Sequence, residues 1–169
     1  SQMVEFSTMI STTNQTKNKS IFSRIKTVDQ NYPLFGKVGY EPSGAFEKLQ
    51  TTENTILVNE NIFKNLNLEI NDKIKVQDKL CTVIGIVKSV HDIGGDFVFG
   101  DFALAGKQTL ELLKLNNLGS FLNYEYKVRF NEGDNPKTLS KKIEQLFKDE
   151  KKVKLRYHEK SDGPLKRVI

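Results

Sequence analysis

The stretch TILVNENIFKNLNLEINDKIKVQDKLCTVIGIV, residues 55–87, decides how the chain folds. Thr55–Val58 is a short β-branched run and reads as a strand. Asn59 follows as a strong helix N-cap, and Ile62, Phe63, Leu66 and Leu68 recur at near-helical spacing. Asn71-Asp72 marks a turn, and Lys73 to Gln77 alternates apolar and polar as a strand does. A tight turn at Asp78-Lys79 leads into Leu80–Val87, a strongly apolar strand with Gly85 as a bulge position. Strand, helix, strand and hairpin together predict a small β-barrel-like unit.

Upstream, Val4–Ile10 and Ser20–Val28 read as two strands of a hairpin, joined by the polar turn Ser11–Lys19. Asp29–Gln50 holds Pro33, Gly36, Gly39, Pro42 and Gly44, a density of breakers that predicts a loop. Downstream, Ser89–Asp101 is glycine-rich and reads as a long loop with a strand fragment. Phe102–Leu104 leads into a helix over about 106–115. Ser120–Phe130 alternates through Phe121, Tyr124, Tyr126, Val128 and Phe130, which predicts a strand. Asp134-Asn135-Pro136 starts a helix whose Leu139, Ile143, Leu146 and Phe147 share one face. Val153–His158 reads as a last strand. The expected fold class is α+β. An outer mixed sheet-and-helix part, residues 1–35 and 103–169, carries an inserted, mainly β part, residues 36–102.

Composition narrows the function. The 169 residues suit one domain or two small subdomains sharing a core. The net charge is +5, but acidic and basic residues are interleaved and the longest basic runs are pairs. Such a pattern reads as a lysine-rich solvated surface and speaks against nucleic acid as a partner. The one cysteine, Cys81, sits in an apolar run and reads as a small core residue. No segment has the length of a membrane span. The first residues lack an initiator and the last are Arg167-Val168-Ile169, which reads as a piece of a longer protein.

Catalytic motifs are missing. The sequence holds no Gly-rich Lys-Ser/Thr phosphate loop, no G-x-G-x-x-G, no paired cysteines at zinc spacing and no G-x-S-x-G elbow. We therefore assign no catalytic, cofactor-binding or metal-binding residue, and no cofactor. His91, Asp92, Asp96 and Asp101 could in principle hold a divalent cation, but their spacing matches no calcium loop. They read more simply as turn formers. No nucleophile lies near them, and His158 reads as a surface residue. Phe97, Phe99 and Phe102 alternate beside the glycines. They either pack a junction or form an apolar wall toward a partner or cargo. The segments 36–52 and 89–101 are nominated as contact surfaces, because loops usually carry contacts.

Four stretches in order carry a resemblance. Ser23–Gly36, SRIKTVDQNYPLFG, resembles the "V-K-A-V-D-x-x-Y-P-L-x-G" stretch of YbbP-like permeases, of the wider MacB/FtsX/LolC permease superfamily. Ile56–Asn59 with Leu66–Ile74 is similar to that family's "V-W-V-D…L-G-L-K-V-G-D-x-L". Ile84–Val87 with Gly94–Phe97 is similar to its "V-A-x-V…G-G-D-F-F", and Tyr126–Phe130 to its "Y-R-L-L" strand. Asn71 stands where the family has glycine, and asparagine tolerates the same left-handed turn. The strand and helix that usually open the family domain are not found before Met3.

The resemblance implies a porter-like α+β part with an inserted, sabre-like β part. It implies the extracytoplasmic domain of an ABC-transporter permease in a plasma or inner membrane, attached by flanking transmembrane helices that this sequence does not contain. ATP hydrolysis would belong to a separate cytoplasmic subunit, so the domain itself would be no enzyme. A second permease domain or an extracytoplasmic hydrolase are further partners it allows, and the cargo would be hydrophobic or lipid-like. A secreted or surface ligand-binding module is the alternative reading. A hydrolase built on His91 and Asp92 ranks below both.

Overall fold

The two alternating runs near the start of the chain form β1 (Gln2–Thr12) and β2 (Ser20–Val28), paired antiparallel from Met3↔Val28 to Ser11↔Ser20. The structure is a computed structural model and describes residues 1–13, 18–91, 100–109, 122–150 and 153–154. It divides into two units, residues 1–128 and 129–169.

In the first unit, β3 (Lys37–Glu41), α1 (Ala45–Thr51), β4 (Thr55–Asn59) and α2 (Glu60–Asn65) follow the hairpin. Then come β5 (Lys73–Val76), β6 (Lys79–His91), β7 (Phe102–Gly106) and β8 (Asn123–Tyr126). Six of the strands pair in a circuit. β2 lies parallel to β7, β7 antiparallel to β4, and β4 parallel to β6. β6 lies antiparallel to β5, and β5 antiparallel to β1 through Ile10↔Val76. Because β1 also pairs with β2, the sheet closes into a small barrel. The barrel-like reading of residues 55–87 thus extends to β1, β2 and β7.

Alternation along the strands sends side chains to two cores. Phe6, Ile10, Ile25, Ile56, Val58, Ile74, Cys81, Val83, Ala103 and Ala105 form one, closed by Ile62, Leu66 and Leu68 from α2 and the turn after it. Leu57, Ile84, Val87 and Leu104, on the opposite face, form the other with Tyr32, Phe46 and Leu49. Each fully buried Leu or Ile contributes about 1.5–3 kcal/mol. Asn59 caps α2 as expected, its Oδ1 accepting from the Ile62 N–H at 3.0 Å. The helix stops after six residues because Asn67 takes a left-handed turn (φ 52°), with Leu68 N–H bonded to Phe63 O and Asn67 N–H to Lys64 O. That turn swings Leu68 into the core. Asn71 (φ 77°) is left-handed as well.

Three expectations are corrected. Asp29–Gln50 is no plain loop, since it contains β3 and α1. Three of its breakers flank elements: Gly36 and Gly44 both have φ 81°, Gly44 being the N-cap of α1, and Pro42 lies between β3 and α1, while Gly39 sits inside β3 at its register shift. Of the predicted strand 120–130, β8 covers Asn123–Tyr126, while residues 120–121 lie outside the described residues. Ser1 and Lys127 exchange two further backbone bonds, at 3.0 and 2.9 Å. The helix expected from about residue 106 starts one residue later, after β7. Lys107–Thr109 are helical, and the remainder lies outside the described residues.

In the second unit, α3 (Pro136–Leu146) starts as read: Asn135 Oδ1 accepts from the Lys137 and Thr138 N–H groups. None of its residues is buried, and Leu146 is 79% exposed. Periodicity identifies a face, while burial needs a second surface. Val153 and Lys154 are not in a strand, and 155–158 lie outside the described residues.

Glycine lets α1 sit against the sheet. β6 skips one residue against β4 between Val83 and Gly85, so the bulge lies where it was expected. A Cβ on Gly85 would collide with the Glu41 carbonyl, with Leu57 Cδ2 at 2.9 Å and with Ala45 Cβ at 3.1 Å; one on Gly106 would strike the Leu49 carbonyl. Gly85→Ala and Gly106→Ala should each lower stability by about 1–3 kcal/mol in urea unfolding, through collision with these neighbours. Burial also raises the Cys81 thiol to a pKa of about 11. At pH 8 Cys81 should resist a thiol reagent in the folded protein and react fully once it is unfolded.

Candidate functional site

Segments 36–52 and 89–101 were nominated separately, and pairing brings parts of them together. β4 leaves β6 at Asn59↔Val87, after which β6 continues beside β3 through Gly39↔Ser89, Val38↔Val90 and Lys37↔His91. The result is a two-stranded arm rising from the barrel. Its inner face is anchored. Val38, Tyr40 and Val90 pack against the core under α1, and the Tyr40 ring lies 5.6 Å from that of Phe46. The Tyr40 hydroxyl donates to Glu47 at 2.9 Å, and that bond holds its proton above the usual tyrosine range.

Lys88 stands at the root of the arm. The ladder passes from Gly39↔Ser89 to Tyr40↔Val87, so Lys88 is the extra residue of a bulge. Its ammonium pairs with Glu41 at 2.7 Å and with Glu60, which also meets Lys64 at 3.5 Å. The bonds from Glu41 and Glu60 raise the Lys88 pKa, and the bond from Lys88 lowers that of Glu60. Beside this network Asn59 Nδ2 donates to the Gly100 carbonyl at 3.0 Å, and Asn61 Nδ2 donates to Asp101.

The residues singled out in the sequence fare unevenly. Phe102 is half-buried against the core under α1, while Phe97 and Phe99 lie outside the described residues. Asp101 is held by Asn61; Asp92, Asp96, His158 and the His91 side chain lie outside the described residues. No cluster of three metal-binding side chains occurs among the described residues, nor any helix long and apolar enough to cross a membrane. The concavity along α3, lined by Lys141, Glu144, Gln145 and Lys148, is open and charged and offers no apolar enclosure. Sequence reading missed Glu41, Glu60, Asn61 and Lys88. Only the Asn-Glu-Asn triplet straight after a strand hinted at them.

The Asp29–Tyr32 motif has a structural task. The Asp29 carboxylate accepts from the Gln2 N–H at 2.6 Å, the Ser1 hydroxyl at 2.9 Å and the Asn31 N–H at 3.0 Å, tying the start of β1 to the end of β2. Partial burial alone would raise its pKa, but these donors and the N-terminal ammonium outweigh that and hold it below 3.8. Gln50 Nε2 donates to the carbonyls of Asp29 and Tyr32, each at 3.1 Å.

A family model described as the MacB-like periplasmic core domain matches residues 1–146. The chain is similar to the periplasmic region of MacB from Actinobacillus actinomycetemcomitans, at 13% identity and a TM-score of 0.57, over 88% of this chain and 66% of that one. It is also similar to the extracellular domain of the noncanonic ABC-type transporter YknZ from Gram-positive bacteria, at 10% identity and a TM-score of 0.54, over 88% and 74%. At these identities the likeness shows the fold alone. The chain thus spans just under two thirds of the MacB region it matches. No curated protein matches.

Asp29→Asn should lower the melting temperature by about 2–4 °C at neutral pH, through the loss of a charged acceptor. Because folding depresses the Asp29 pKa, its contribution is complete above 3.8 and disappears as the pH falls through its lower folded value. The gap between variant and wild-type melts should therefore close in acid.

Proposed function

The chain belongs to the MacB-like periplasmic core domain family, the extracytoplasmic domains of ABC-transporter permeases, and from that premise we propose that it works as a lever. ATP hydrolysis in a separate cytoplasmic subunit moves the spanning helices of the full-length permease, and this domain carries that motion to a substrate or partner outside the membrane. The domain performs no catalysis of its own. The cargo class proposed is hydrophobic or lipid-like. Phe97, Phe99 and Phe102 belong to the proposed contact surface, together with the arm. A second permease domain or an extracytoplasmic hydrolase are candidate partners. The division into 1–35 with 103–169 and 36–102 belongs to the same proposal; sheet bonds cross it at β1–β5 and β4–β7.

The observation that carries the reading is ring closure. A lever must pass on displacement at its base rather than absorb it in bending. A closed barrel, filled on one face and covered by a helix on another, resists shear that an open sheet would accommodate. Motion of such a body is a rigid-body rotation or translation.

The test uses the full-length permease with its ATPase subunit in lipid nanodiscs. Spin labels at Ser7 and Lys48 report internal distance, and a label at either site paired with a membrane-embedded label reports displacement. ATP trapping should change the distance to the membrane label while the Ser7–Lys48 distance stays constant. An unchanged membrane distance, or steady turnover of an ester or phosphate substrate by the domain itself, would sink the proposal.

A further inference from the structure

We infer that the first turn of α2 is a clamp. Asn59, Glu60 and Asn61 act as positioning residues that lock the root of the β3–β6 arm and the start of β7 to a single helix.

Three consecutive side chains reach three different places. The Asn59 amide is used at both ends: Oδ1 accepts the Ile62 N–H and caps α2, while Nδ2 donates to the Gly100 carbonyl at 3.0 Å. Glu60 pairs with Lys88 at the arm root, and Lys88 reaches Glu41 at the end of β3 at 2.7 Å. Asn61 Nδ2 donates to the Asp101 carboxylate, and the Asp101 carbonyl in turn accepts the Arg24 N–H of β2 at 3.1 Å. The clamp thereby joins β3, β6, β7 and β2.

The geometry calls for such a device. At Val87 the arm loses β4, and the bulge at Lys88 interrupts the β3 ladder at the same level. A two-stranded ribbon with a bulge at its base is the weakest joint in the sheet. A bulge also turns the extra side chain out of the ladder, which lets Lys88 reach Glu60 of α2 as well as Glu41 of β3. Gly100, with φ 98°, stands at the other root, and its carbonyl accepts from Asn59 Nδ2. α2 itself is pinned by Ile62, fully buried in the barrel core. The arm and the start of β7 are therefore referenced to the barrel through α2. The two roots differ in chemistry: the arm root is an exposed ion network, and the β7 root is held by amide hydrogen bonds. Salt weakens the first and leaves the second nearly intact.

Backbone amide exchange on the whole chain tests this, and it does not depend on the transport reading. Asn59→Asp keeps the cap, because a carboxylate accepts the Ile62 N–H, but it removes the donor to Gly100. Combined with Glu60→Gln and Asn61→Ala, it releases all three tethers. Exchange at Ser89–His91 and at Phe102–Ala103 should rise at least about tenfold, while Phe6 and Ile25 in the barrel and Leu66 in α2 keep their protection. In the wild type, high salt should speed exchange at Ser89–His91 and not at Phe102–Ala103. Unchanged exchange at both roots would overturn the inference. So would a rise that includes Leu66 equally, since the triplet would then support only its own helix. An identical salt response at both roots would refute the division of chemistry between them.

Discussion

The hydrogen bonds between Ile10–Thr12 of β1 and Ile74–Val76 of β5 close the sheet, and most of the first unit depends on that seam. An open sheet of these strands would carry two unsatisfied edges and a face without cover. Closure pairs the edges and gives Phe6, Ile10, Ile25, Ile74 and Val83 a common interior. It also makes β1 the busiest strand. One edge holds β2 along nearly its whole length, and the other holds β8 near its start and β5 near its end.

Once the ring exists, its outer face needs a lid where Leu57, Ile84 and Leu104 point away from the interior. α1 supplies it, and the approach is close enough that Gly85 and Gly106 admit no side chain. The Asp29 knot and Gln50 position the segment between β2 and β3, with Tyr32 and Phe46 packed beneath, their rings 6.4 Å apart. Lys26 adds a link to β8. It is buried on the barrel wall, 3.7 Å from Glu125 and with its ammonium 5.7 Å from the centre of the Tyr32 ring. The motif that marks the family resemblance, around Asp29 and Tyr32, thus joins the start of β1, the end of β2 and α1.

The candidate site depends on the same ring by extension. The arm is simply β6 running past the barrel with β3 beside it, and its direction is set by the bulge at Lys88 and by α2. Its inner face packs on the core through Val38, Tyr40 and Val90.

Residues 4–28 and 55–87 were legible from sequence because local rules decided them. Alternation marked β2 and β5, mixed β-branched and polar residues marked β1, Asn59 declared its own cap, and the family resemblance implied a left-handed turn at Asn71. Asn135-Pro136 likewise opened α3. Cys81 could be read as core because its neighbours were apolar. The β3–α1 region could not be read, since a proline or glycine at the end of an element looks the same in sequence as one inside a loop. Nor could the length of β8, which depends on its pairing with β1. The clamp was beyond reach for a deeper reason. Lys88 meets Glu60 across 28 positions and Asn61 meets Asp101 across 40. For β1, β2, β4 to β6, α2 and α3 the sequence alone determined the type of element and its apolar face, because those follow from neighbours along the chain. Ring closure, the arm and its tethers were decided only by tertiary structure, because they depend on which distant segments meet.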